Sequence, residues 1–105
     1  MLNQALKYLF FASVLALVAN SAHATAQLAL DKGCYSCHGS PPKKNAPTFE
    51  KLALDYTKYK NVPSAEAELA GKLREGHMFG GIQAHERLSE ENALLLIHWI
   101  IQGAR

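Results

Sequence analysis

Cys34-Tyr35-Ser36-Cys37-His38 has the spacing C-x-x-C-H. Two residues between the cysteines let one helical turn set both sulfurs along one porphyrin edge, where each thiol can add to a vinyl group. The histidine that follows is placed to reach the iron as proximal ligand. Three other readings of the same pair are weaker. A disulfide between Cys34 and Cys37 would close a small, strained ring and hold little together. A zinc site would need a second ligand pair, and these are the only two cysteines in the chain. A thioredoxin-like redox pair expects a βαβ setting, which nothing in the chain suggests. The motif therefore predicts one covalently attached haem, with Cys34 and Cys37 as its thioether residues and His38 on the iron.

Upstream, residues 25–33 (TAQLALDKG) form a short helical stretch with Leu28 and Leu30 available for burial. Gly33, just before the motif, allows a close backbone approach to the haem or to another helix. Residues 1–24 have the form of a cleavable secretory signal peptide. Lys7 supplies the positive region, Tyr8 to Ala19 is an apolar stretch of twelve residues, and Ala22-His23-Ala24 offers a small-residue cleavage site. Twelve residues are short for a membrane span, which needs about 20. The mature chain is then expected to run from Thr25 to Arg105, 81 residues forming one small domain. A core of that size is marginal alone, and a covalently bound apolar plate would change the balance. Ten Lys and Arg against nine Asp and Glu remain after cleavage, and nothing argues for nucleic acid.

Downstream, residues 39–47 (GSPPKKNAP) are a loop by composition. In residues 48–60, Phe49, Leu52, Ala53, Tyr56 and Tyr59 recur at helical spacing behind Thr48, a fair N-cap. Asn61-Val62-Pro63 breaks that helix, and Ser64 caps the next, residues 65–74, with Ala65, Leu69 and Leu73 on one face and Gly76 as its end. Residues 75–88 (EGHMFGGIQAHERL) are a glycine-rich loop. Ser89 opens a last helix with Glu90 and Glu91 in its first turn, favourable to the helix dipole. Ala93, Leu94, Leu96, Ile97, Ile100 and Ile101 give that helix a broad apolar face, Trp99 adds bulk, and Gly103 ends it. No strand alternation occurs, so the fold class is all-α, with about four short helices.

Taken in order, CYSCHG, APTFEKLALDY, AELAGKLREG and LSEENALLLIHWI resemble the small bacterial class I cytochromes c over nearly the whole mature chain. The second segment is similar to the family's G-P-x-[FY]-x-x-[VIL]-A-x-x-Y. The resemblance implies helices wrapped around one haem c, with the N- and C-terminal helices crossing near the haem edge and Gly33 and Trp99 at or near that crossing. It also implies one-electron transfer between ferric and ferrous iron. In a haem protein of this kind the Pro47 carbonyl can accept the proximal imidazole N–H, fixing the ring and raising its basicity.

One departure concerns the distal iron ligand. The family usually carries it as Met-Pro before the last helix, and here that stretch reads Gly81-Ile82-Gln83-Ala84-His85. Met78 is the expected ligand: it is the only methionine after the signal, and its soft thioether stabilises ferrous iron. His85 is the alternative and would give bis-histidine ligation at a lower potential; His77 comes third. His98 is expected on the surface or at its boundary.

The function expected is that of a periplasmic electron carrier of Gram-negative type, not an enzyme, monomeric and free of the membrane once processed. Its partners would be redox proteins, an upstream dehydrogenase or outer-membrane electron conduit and a downstream oxidase or reductase. Lys32, Lys43, Lys44 and Lys51 lie near the haem motif in sequence and could steer docking to an acidic patch. An ordinary solvated surface accounts for them equally well. The competing functions are a gas-binding or small-ligand haem protein and the haem subunit of a larger dehydrogenase complex.

Overall fold

The computed structural model describes residues 25–105; the expected signal peptide, residues 1–24, lies outside the described residues. The elements in order are α1 (residues 25–31), α2 (Tyr35–His38), α3 (Phe49–Tyr56), a 3₁₀ turn (Thr57–Tyr59), α4 (Ala65–Arg74), α5 (Gln83–Glu86) and α6 (Glu90–Ile101). Among the described residues there is no strand.

The two longest-signalled helices start where their caps are. Thr48 and Ser89 sit in extended backbone, and each hydroxyl accepts the N–H three residues on, from Lys51 and Asn92, both at 3.1 Å. Each bond satisfies one of the N–H groups that a helix start leaves without an internal partner. Ser64 differs: its backbone is already helical and its side chain makes no capping bond. The end of α4 differs as well. It stops at Arg74 with Glu75 as its cap, one residue before Gly76, and the Arg74 Nε–H donates to the Leu88 carbonyl at 2.9 Å. The 48–60 helix is α only to Tyr56, and its last turn tightens to 3₁₀.

Helix α6 is the centre of the domain. Ala93, Leu96, Ile97, Trp99, Ile100 and Ile101 are buried, while Leu95 and His98 face outward. An apolar face this broad needs neighbours on several sides, and α3 and α4 both pack on it. From α3 comes Phe49, whose ring meets Trp99 edge-on at 5.0 Å, and from α4 comes Ala70. The Trp99 indole N–H donates to the Arg105 carbonyl at 3.2 Å. His98 joins α6 to α4 on the surface through the Glu66 carboxylate, 2.6 Å from its Nδ1.

Helix α1 enters the same core through Ala29, which is fully buried, with Leu28 partly buried beside it; Leu30 is exposed. Gly33 lies on the wall of a cavity beside Cys34, where the expected close approach to a haem would be made, and it has a second task. It is exposed, and a Cβ added there would meet nothing within 4 Å. Its φ of +74° is what the position requires. The Cys34 N–H reaches back to the Ala29 carbonyl and the Gly33 N–H to the Leu30 carbonyl, both at 3.0 Å. This pair of bonds, six-to-one and five-to-two, is a Schellman ending with glycine at the left-handed position. It reverses the chain directly before Cys34, and so delivers the C-x-x-C-H segment to the core. Trp99 is in the buried cluster.

Candidate functional site

The reversal at Gly33 leads into α2, a single turn that carries Cys37 and His38 and has Cys34 as its N-cap. Both cysteines are free thiols and half-buried. Burial pushes the Cys34 thiol up from its ordinary value, and a backbone hydrogen bond offsets part of that rise. Both thiols and His38 line a cavity of about 840 Å³. Cofactor-sized ligands take clefts of roughly 300–1,000 Å³ with mostly apolar walls. Here the walls are Phe49, Leu52 and Tyr56 of α3, Leu73 of α4, Leu88, and Leu96, Ile97 and Ile100 of α6. Lys44, Asn45, Ala46 and Pro47 from the loop after α2 line it as well, and residues 81–85 complete it.

His38 is held from two sides. Its Nδ1 lies 2.6 Å from the Pro47 carbonyl oxygen. A carbonyl can only accept, so Nδ1 carries a proton, and in the neutral ring the lone pair is then on Nε2. The ring of Phe49 packs against it at 5.3 Å between centroids, and Phe49 in turn meets Tyr35 edge-on at 5.0 Å. The imidazole is thus fixed in tautomer by one partner and in orientation by another, the arrangement that metal-binding histidines use.

The 75–88 segment holds a feature its composition conceals. It contains α5, one turn whose His85 and Glu86 N–H groups both bond to the Ile82 carbonyl, at 3.0 and 3.1 Å. The His77 N–H is tied to the Glu86 carboxylate at 3.0 Å. His85 is half-buried and lines the cavity, with its ring 6.1 Å from that of His38 and the two planes only 13° apart. Burial pushes His85 below the ordinary imidazole value, and the neighbouring His38 adds to the effect, so its neutral form is favoured.

Of the residues singled out from sequence, the structure brings together Cys34, Cys37, His38, Pro47 and His85. It does not bring Met78 to them: that side chain is 91% exposed and takes no part in the cavity wall. The backbone anchor at His77 and the turn at Gly80, φ +74°, set residues 78–80 out in solvent. His77 is exposed and likewise absent from the wall. Lys44 lines the cavity, Lys32 and Lys43 are exposed, and Lys51 is engaged with Asp55 at 2.8 Å.

The residues present fit a haem. Two free thiols sit one helical turn apart beside an imidazole with an available nitrogen, on one cavity large and apolar enough for the ring. Among the described residues no three His, Cys, Asp or Glu side chains converge as a bare metal ion requires. The ligating groups are distributed along a cavity, which suits a plate.

Comparison with known proteins agrees. Cytochrome c2 of Rubrivivax gelatinosus is 31% identical over 83 residues, covering 73% of this chain and 94% of that protein. Cytochrome c-552 of Hydrogenobacter thermophilus is 32% identical over 81 residues, covering 74% of this chain and 80% of that protein. No family model and no solved structure matches the chain significantly. At that identity and coverage, and with an all-helical fold, the chain belongs to the small class I cytochromes c, electron-transfer proteins that carry one covalently bound haem c.

Proposed function

We propose that this protein is an exported, monomeric one-electron carrier, not an enzyme, that shuttles electrons between redox proteins. The observation that carries the reading is the His38 imidazole, fixed by Pro47 at 2.6 Å and by Phe49 on the wall of the cavity that Cys34 and Cys37 share. Haem supplies the ferric/ferrous couple when bound. Cys34 and Cys37 would hold the haem covalently, each S–H adding across a vinyl double bond with one C–S and one C–H bond formed and nothing released. His38 would offer the Nε2 lone pair to the iron, and the hydrogen bond from Nδ1–H to Pro47 would strengthen that donor. The leucine and isoleucine walls would keep water from the ring and so act on its potential.

A small helical fold that holds its ligands rigidly changes little between oxidation states, which suits rapid exchange of an electron with a docked protein. Lys44 at the cavity, with Lys32 and Lys43 on the exposed surface, would favour an acidic patch on such a partner. Among the described residues no helix is long and apolar enough to cross a membrane. Export rests on residues 1–24, whose removal would release the 25–105 domain into the periplasm.

The test is a potentiometric titration of the purified holoprotein, followed by its visible spectrum. A carrier gives one reversible transition with the slope of a single electron, identical in both directions. Hysteresis, or turnover of an added small oxidant without a protein partner, would count against the reading.

A further inference from the structure

We propose that His85, not Met78, is the second axial ligand to the iron, so that this chain binds its haem between two imidazoles. The inference rests on the haem reading above and concerns which residue completes the site. Its first support is spacing. Two imidazoles that share one metal through nitrogens at roughly 2.0–2.1 Å hold their ring centres about 6 Å apart. His38 and His85 stand 6.1 Å apart between centroids with planes 13° from parallel, and both line the same cavity.

Its second support is construction. His85 is on a turn of helix whose hydrogen bonds to Ile82 set its backbone, and the Leu88 N–H closes on the His85 carbonyl at 3.2 Å. The two ends of the segment are tied to one another and to α4, by the His77 N–H on the Glu86 carboxylate at 3.0 Å and by Arg74 on the Leu88 carbonyl at 2.9 Å. A side chain on such an element is held in place before any ligand arrives, as a metal site requires. Met78 has neither property, being 91% exposed and outside the cavity.

The chemical consequence is a harder donor in place of a thioether. Nitrogen favours the ferric state relative to sulfur, so the potential lies below that of the same fold with methionine in this position.

The experiment compares far-red absorption and electron paramagnetic resonance of the ferric holoprotein for wild type, Met78→Ala, His85→Met and His85→Ala. The expected result is that wild type and Met78→Ala are both low-spin and both lack the sulfur-to-iron charge-transfer band. His85→Met should gain that band and titrate at a higher potential, and His85→Ala should turn high-spin. A sulfur-to-iron band in wild type that disappears in Met78→Ala overturns the proposal while leaving the carrier reading intact. A low-spin, unchanged spectrum in His85→Ala does the same. A wild-type protein with no covalently attached haem overturns both. Where a change at His85 prevents folding, the wild-type and Met78→Ala spectra still decide for or against Met78. A His77→Ala protein that stays low-spin and unchanged then leaves His85 as the imidazole, whereas one that turns high-spin overturns the proposal.

Discussion

The double substitution Cys34→Ala with Cys37→Ala is expected to remove covalently bound haem completely. Both sulfurs are free, half-buried and on the cavity wall, and the chain holds no other cysteine to replace them. His38 and the apolar walls remain, so haem can still enter, but by reversible binding only. The domain should then lose its colour on denaturing electrophoresis and stain for haem not at all, while each single substitution keeps one thioether and a residual stain. The loss extends to stability. The 81 described residues are near the size at which a core barely sustains itself, and a group bound only by the folded state stabilises it by mass action. The double variant is therefore expected to melt well below wild type, measured by helix ellipticity. Haem staining that survives in the double variant would contradict the assignment of both thiols.

Phe49→Ala is expected to cost about 3–5 kcal/mol, the range for deleting a buried aromatic ring. Phe49 is only 7% exposed and its ring meets three others, Tyr35 and Trp99 at 5.0 Å and His38 at 5.3 Å. It thus joins the core beneath α6 to the imidazole at the site. Against a total stability of about 5–15 kcal/mol for an ordinary domain, the loss is severe. Chemical denaturation of the holoprotein should show a much lower midpoint at unchanged slope. The same measurement on Leu54→Ala provides the contrast, since Leu54 lies on the same helix but is 77% exposed. Its expected effect is within about 0.5 kcal/mol of zero. Equal effects of the two changes would mean that Phe49 is not the packing link between core and site.

The parts of this protein that could be read from its residues are those governed by local chemistry. Thr48 and Ser89 announce α3 and α6 because a hydroxyl at an N-cap needs only the N–H three residues on. The apolar face of α6 is visible because a 3.6-residue period records which side is buried. Cys34, Cys37 and His38 declare their chemistry through spacing alone. The remainder depends on contacts distant in sequence. Ser64 has the right type for a cap, yet its backbone is already helical there and the hydroxyl has no N–H to accept. Gly33 signals a special backbone, but only the bonds back to Ala29 and Leu30 show that the need includes a left-handed turn.

The 75–88 segment is the most instructive. A methionine beside a glycine loop suggests a thioether ligand, and a one-turn helix is too short to leave a periodic trace. What decides the placement is the Glu86 carboxylate holding the His77 N–H nine residues back, and Arg74 holding the Leu88 carbonyl from the end of α4. These bonds turn His85 into the cavity and leave Met78 outside. Such partners have no sequence signature, because any carboxylate or guanidinium of suitable reach would serve.

Carbon monoxide added to the ferrous holoprotein at neutral pH tests most directly whether this is a carrier. A carrier with both axial positions filled by side chains should keep its reduced spectrum unchanged for minutes under a saturating gas phase. Rapid formation of a stable adduct would contradict the account, and would make the protein a haem-based binder of small ligands.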